Sequence, residues 1–132
     1  MIMPPEPCII EPAYSFNIDR FVEAWGEVQS GGDDFAVGEH GELGRFQIKK
    51  SLWEQHCHLP FTLARDRRNS EVVFTRIICD YLLKARMKGC TDSMLPAVVT
   101  QWLAVGSSHK GPINLAKKDE ISRVLKLYEL PL

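Results

Sequence analysis

The stretch Ile18 to Ser30 constrains this chain more than any other. Ile18, Phe21, Val22, Trp25 and Val28 recur at the i, i+3, i+4, i+7 spacing of one helical face, while Arg20, Glu23 and Glu27 fall opposite. Gly31 and Gly32 follow at once, and glycine accepts the left-handed geometry that closes a helix. A stripe of two aromatic and three aliphatic side chains must be buried, so the rest of the chain has to supply surfaces for it.

The remaining sequence supplies them mostly as further helices. Ser51-Leu52-Trp53-Glu54 fits a capping box, which predicts a short helix from Ser51. His58 to Arg68 reads as a connector, and Asn69 or Ser70 as the cap of a long helix to about Lys88, closed by Gly89. Its apolar residues Val73, Ile77, Tyr81 and Leu82 lie largely on one face. A further helix is expected from Ser93 to Val105, stopped by Gly106, with Pro96 tolerated in its first turn. Ser107 to Pro112 reads as a flexible loop. Leu115 to Glu129, with Ile121, Val124, Leu125 and Tyr128 at helical spacing, reads as the last helix. Between the first two helices, Gly38-Glu39-His40-Gly41 reads as a turn and Leu43 to Ile48 as a short strand or irregular hairpin. The expected class is mainly α (α+β). Residues 1–14 form a Pro-rich arm and residues 15–132 a single domain.

Composition narrows the function classes. With 45% hydrophobic and 25% charged residues over 132 positions, the chain can build a core without disulfide staples. Its net charge of −1 gives no general attraction to nucleic acid or anionic lipid. Lys49-Lys50 and the basic run Arg65 to Arg68 lack interleaved aromatics for base stacking and read as solvated faces. No apolar run approaches the roughly 20 residues that span a bilayer, so no membrane insertion is expected. Met1 to Ile10 has no basic-then-apolar signal-peptide pattern. The expected location is cytoplasmic, or outside by a route without a cleavable signal. Cys8, Cys57, Cys79 and Cys90 match no metal or redox spacing, and all four are expected to be free thiols. His56-Cys57-His58 has no second ligand pair, so no metal is expected, and no cofactor either.

Gln29 lies four residues after Trp25 and seven after Val22, hence on the apolar face at the C-terminal end of its helix. A polar residue there sits where a core opens to solvent. A glutamate in that position would have its pKa raised by apolar surroundings, as a general acid requires. Glutamine keeps the shape and hydrogen-bonding capacity but has no proton to give.

The segment from Val28 to Ile48 resembles the active-site segment of the lysozyme-like superfamily, which includes goose-type lysozymes and lytic transglycosylases. There a helix ends in Glu-Ser-Gly, a turn of small and polar residues follows, and then Gly-x-x-Gln-Ile. Gly44-Arg45-Phe46-Gln47-Ile48 matches the second part, and Gln29-Ser30-Gly31 matches the first except at its decisive residue. The resemblance extends weakly over Phe21 to Glu129. It implies a lysozyme-like helical domain and a peptidoglycan or chito-oligosaccharide ligand. It puts Gln29 at the catalytic-acid position, Glu39 and Glu42 as candidates for a second carboxylate, and Ser30, Phe46, Gln47 and Trp102 as substrate-binding residues. Trp102 falls at an aromatic position of the family pattern, but Leu103 stands where asparagine is usual, and Gly106 comes one residue late.

Three readings follow. The chain is a glycosidase or lytic transglycosylase in a Glu-to-Gln inactivated form; or it is a natural non-catalytic relative binding glycan or a protein partner, which Leu103 favours; or it is a helical interaction module. Glu39 and Glu42 also read as solvated turn residues, and Trp102, Trp25 and Trp53 as core.

Overall fold

The computed structural model describes residues 16–130, and within them the chain is mainly helical. Five α-helices are present among the described residues: α1 Ile18–Ser30, α2 Lys50–His56, α3 Arg67–Met87, α4 Leu95–Val105 and α5 Leu115–Glu129. Short 3₁₀ turns at Phe61–Arg65 and Asp92–Met94 lead into α3 and α4. The first and last helices have the bounds that periodicity predicts. The arm 1–14 lies outside the described residues.

Two local expectations need correction. The helix at Ser51 begins one residue earlier, at Lys50, because the Trp53 N–H already reaches the Lys49 carbonyl; Lys49 is the cap and no capping-box hydrogen bond forms. The cap of α3 is Asp66, whose carboxylate accepts from the Asn69 backbone N–H at 2.9 Å and from the Asn69 side-chain amide at 2.7 Å. Asn69 therefore sits inside the helix it was expected to start. Of the two readings of residues 43–48, the irregular hairpin is the one present: no strand forms, and isolated antiparallel bridges join Val37 with Leu43 and Leu43 with Ile48.

The described residues gather into two units. The first, Ile18–Ile77, holds α1, α2 and the first half of α3. Its core is a run of rings. Phe21 stacks on Trp25 at 6.3 Å between centroids, Trp25 on Phe74 at 6.1 Å, and Phe74 on Phe46 at 4.6 Å and 5°. All four are buried, with Ile48, Val73 and Ile77 around them. Trp53 is also fully buried and donates its indole N–H to the Leu59 carbonyl at 2.8 Å.

The second unit runs from Ile78 onward and includes Phe16 and Asn17. Its core draws Ile78, Leu82 and Ala85 from α3, Leu95, Val99 and Ala104 from α4, and Val124 and Tyr128 from α5. The Tyr128 hydroxyl accepts from the Asn17 backbone N–H at 2.8 Å, and Asn114 caps α5 by accepting from the Lys117 N–H at 2.8 Å. Cys79, buried here, is disulfide-bonded, so the expectation of four free thiols fails; Cys57 and Cys90 are free, and Cys8 lies outside the described residues. A cysteine on an apolar helical face reads as a small hydrophobe, and spacing alone does not reveal a bond to a distant segment.

Phe74 stacks on both Trp25 and Phe46 and makes no polar contact, so its truncation reads the apolar packing of the first core alone. Phe74→Ala should destabilise the protein by about 3–5 kcal/mol, the usual result of emptying a buried aromatic site. Urea unfolding followed by tryptophan fluorescence reads this directly, and a loss under about 1 kcal/mol would mean that the core closes over the gap.

Candidate functional site

The site is the C-terminal end of α1 together with the turn 31–48. Gly31 and Gly32, at φ 66° and 83°, close α1 by donating to the Glu27 and Gly26 carbonyls at 2.9 and 3.4 Å. The chain then doubles back through two nested turns. The Gly38 N–H donates to the Glu42 carbonyl at 2.8 Å, Gly44 to Ala36 at 2.9 Å, and Leu43 and Ile48 exchange a pair at 3.2 Å.

Two side chains of α1 fasten this turn. The Trp25 indole N–H donates to the Phe46 carbonyl at 3.0 Å, and the Ser30 hydroxyl donates to the Arg45 carbonyl at 2.8 Å. The same hydroxyl accepts from the Asp33 N–H at 3.0 Å. Arg45 adds a third tie. Its stem lies against Gly26, where an added Cβ would meet Arg45 Cγ at 3.0 Å and the Phe46 ring at 3.2 Å. Its Nε donates to Asp34 Oδ1 at 3.1 Å, with both side chains largely shielded. Gly44, at φ 85°, packs its α-carbon against the Ala64 carbonyl, leaving no room for a side chain.

Each expected site residue has a definite place. Gln29 lies in the last turn of α1, half-buried, and its amide nitrogen Nε2 is shielded from solvent with no hydrogen-bond partner. Such a donor costs roughly 1–3 kcal/mol when left unmatched. Gln47 has φ 51°, a left-handed backbone unusual for a residue with a side chain. Its amide nitrogen donates to the Gly44 and Ala36 carbonyls at 2.9 and 3.3 Å, which leaves the carbonyl oxygen Oε1 to accept. That oxygen and Glu42 Oε1 converge over Gly38, where even a methyl group would collide with both. Ser30 serves the turn rather than projecting from it. Phe46 belongs to the core by its side chain, at 1% exposure, so what it offers here is its carbonyl. Glu39 stands exposed on the turn. Trp102 belongs to the second unit, edge-on to Tyr81 at 5.6 Å with the Lys88 ammonium 5.2 Å from its ring centre.

Glu42 is electrostatically distinct. Burial pushes its carboxyl pKa up, but the backbone N–H groups of Glu42 and His40 and the charges of His40 and Lys49 outweigh it, and the net pKa lies below the usual value. The His40 N–H reaches Glu42 Oε1 at 2.8 Å. Glu42 is therefore an anion at neutral pH, suited to stabilise positive charge or accept a hydrogen bond, and poorly suited to donate a proton.

Sequence reasoning passed over Arg45, Asp34, Gly38 and Phe35. The opposite charges at 34 and 45 were legible as a possible pair. Phe35, 74% exposed, was legible as a lone aromatic among small and acidic turn residues. A groove of about 660 Å³ in the same unit, lined by Asp19, Val22, Glu23, Val72 and Arg76 among others, includes none of the expected site residues. Among the described residues no group of three or more His, Cys, Asp or Glu side chains gathers to hold a metal ion, and no helix is long and apolar enough to cross a membrane. Compared with known protein families, curated proteins and solved structures, the chain matches none of them.

Because its pKa is depressed on folding, Glu42 stabilises the fold above the ordinary carboxylate pKa of about 4.3 and loses that contribution as pH falls through its lower folded value. Glu42→Gln keeps an acceptor for the His40 N–H but cannot titrate. The gap in urea midpoint between pH 7 and pH 3 should therefore be smaller in the variant than in the parent chain. Equal gaps would show that the carboxylate is not held as an anion by the turn.

Proposed function

We propose that the end of α1 and the turn 31–48 form a lysozyme-like glycan site whose acid position is filled by Gln29, so that the chain binds an N-acetylhexosamine glycan without cleaving it. The observation that carries this reading is the unmatched Gln29 amide donor in the last turn of α1. A shielded donor with no internal acceptor is satisfied when a ligand brings one, and glycosidic and acetamido oxygens are such acceptors. Gln47 supports it from the other side. A left-handed non-glycine backbone is costly, by about 1–3 kcal/mol, and persists where surrounding structure imposes it, often at binding sites. Its side chain spends both amide hydrogens on the turn and keeps one oxygen for an incoming hydroxyl or N–H.

The chemistry follows from what is missing. Glycoside cleavage needs a proton on the leaving oxygen as the bond breaks. Gln29 has none, and Glu42, the shielded carboxylate of the turn, is held in its charged form. Glu39 stands exposed on the turn, with no contact that would aim it at a leaving oxygen. Ground-state binding does not depend on the acid and survives its absence. Leu103, where the family pattern has asparagine, favours a binding protein over an enzyme disabled by a single change.

The expected outcome is saturable binding of chitotetraose by the chain as it stands, with no release of reducing ends. Gln29→Glu separates the two histories of the site. If only the acid is missing, restoring it should raise cleavage by about 10²–10⁴-fold over the parent chain. If the cleft has been rebuilt for binding, the folded variant stays inactive. Cleavage by the parent chain would refute residue 29 as the acid position, and absence of binding by both folded proteins would refute the glycan site.

A further inference from the structure

The groove of about 660 Å³ in the first unit lies between α1 and α3, and the glycan reading makes no use of it. Val22 from α1 and Val72 from α3, the latter 49% exposed, give it apolar walls. Asp19, Glu23 and Glu71 line it as well, against a single base, Arg76. None of these four charges makes an ion pair among the described residues. The groove is therefore an apolar cleft with an excess of uncompensated negative charge, and its complement is an apolar surface that carries bases.

The chain itself carries such a surface on α5. Asp119, Arg123, Lys126 and Leu127 share one face at helical spacing, Leu130 continues the row at the helix end, and all five are exposed. Leu127 is 36% exposed and Leu130 53%. Arg123 and Lys126 also make no ion pair among the described residues. The row offers two leucines, two bases and one acid, where the groove offers two valines, three acids and one base. Arg and Lys stems can lie along the valines while their charged heads reach the carboxylates.

We propose that the α1–α3 groove of one copy receives the outer face of α5 from a second copy, with Arg123 and Lys126 meeting Asp19, Glu23 and Glu71, and Leu127 and Leu130 covering Val22 and Val72. The two surfaces differ, so the contact is heterologous. Each pair leaves one groove and one α5 face open, and association proceeds to a ring or a filament rather than to a two-fold dimer. The contact includes neither Gln29 nor Gln47, and it stands or falls independently of the glycan site.

The test is sedimentation equilibrium of the full chain from micromolar to millimolar concentration, at low and high salt. The unaltered chain should self-associate, less so at high salt, because exposed charges are screened. Two double variants reverse one surface each: Glu23→Lys with Glu71→Lys in the groove, and Arg123→Glu with Lys126→Glu on α5. Either alone places like charges against each other and should weaken association about tenfold or more. An equimolar mixture of the two restores opposite charges across the contact and should recover association to within about threefold of the unaltered chain. In the unaltered chain, the methyl resonances of Val72 and Leu127 should shift together with concentration, a readout that needs no variant to fold. A chain that stays monomeric at every concentration overturns the proposal. So does association that neither reversal weakens, association that leaves both methyls unmoved, or a mixture of folded variants that stays dissociated.

Discussion

Two consecutive carbonyls, those of Arg45 and Phe46, accept hydrogen bonds from side chains five residues apart on α1, Ser30 and Trp25. The turn 31–48 has no strand ladder, only isolated bridges and short backbone hydrogen bonds of its own, and these two side-chain donors tie it to α1. Shielded carbonyls need partners, and losing one costs about 1–3 kcal/mol. The Trp25 bond is buried and also fixes the indole that stacks on Phe74, so the same residue orients the turn and builds the core beneath it. The fold of the first unit and the geometry of the site are in this sense one arrangement.

The positions that look permissive in the turn follow from that fastening. Once residues 45 and 46 are drawn onto α1, the Arg45 stem and the Phe46 ring lie close against Gly26, where a side chain would make them give way, and Gly44 has to be bare to pass the Ala64 carbonyl. The chain then leaves Phe46 with Gln47 in a left-handed conformation, and the Gln47 amide bonds to Gly44 and Ala36 hold it there. Gln29, in the last turn of the same helix, keeps a shielded amide nitrogen with no partner.

Much of this was legible in the residues, and the parts that were not have physical reasons. The periodicity of α1 and α5, with Gly31 and Gly32 as the stop of α1, gave both helices their observed bounds, because an amphipathic stripe is a local signal. The start of α3 was misjudged because Asp66, Asn69 and Ser70 are all competent caps, and only the tertiary path decides which one faces the helix. Residues 43–48 make an irregular hairpin and not a strand because Gly44 and Gln47, both with positive φ, turn the backbone. Gln29 was legible because its spacing from Trp25 puts it on the apolar face. That Phe46 gives the site a carbonyl and the core its ring was not, since spacing does not say which half of a residue does the binding. Phe35 was overlooked because an aromatic in a loop has no period to betray it.

In the proposed site the Gln29 and Gln47 amides address the same ligand. Their side-chain NH₂ pairs are resolved signals in a ¹⁵N–¹H correlation spectrum, assignable by Gln→Asn replacement at each position. On titration with chitotetraose both pairs should shift along one saturation curve, the Gln29 pair more strongly, because its donor passes from no partner to a ligand oxygen. A saturating ligand that shifts other resonances and leaves both pairs unmoved would contradict the site as described.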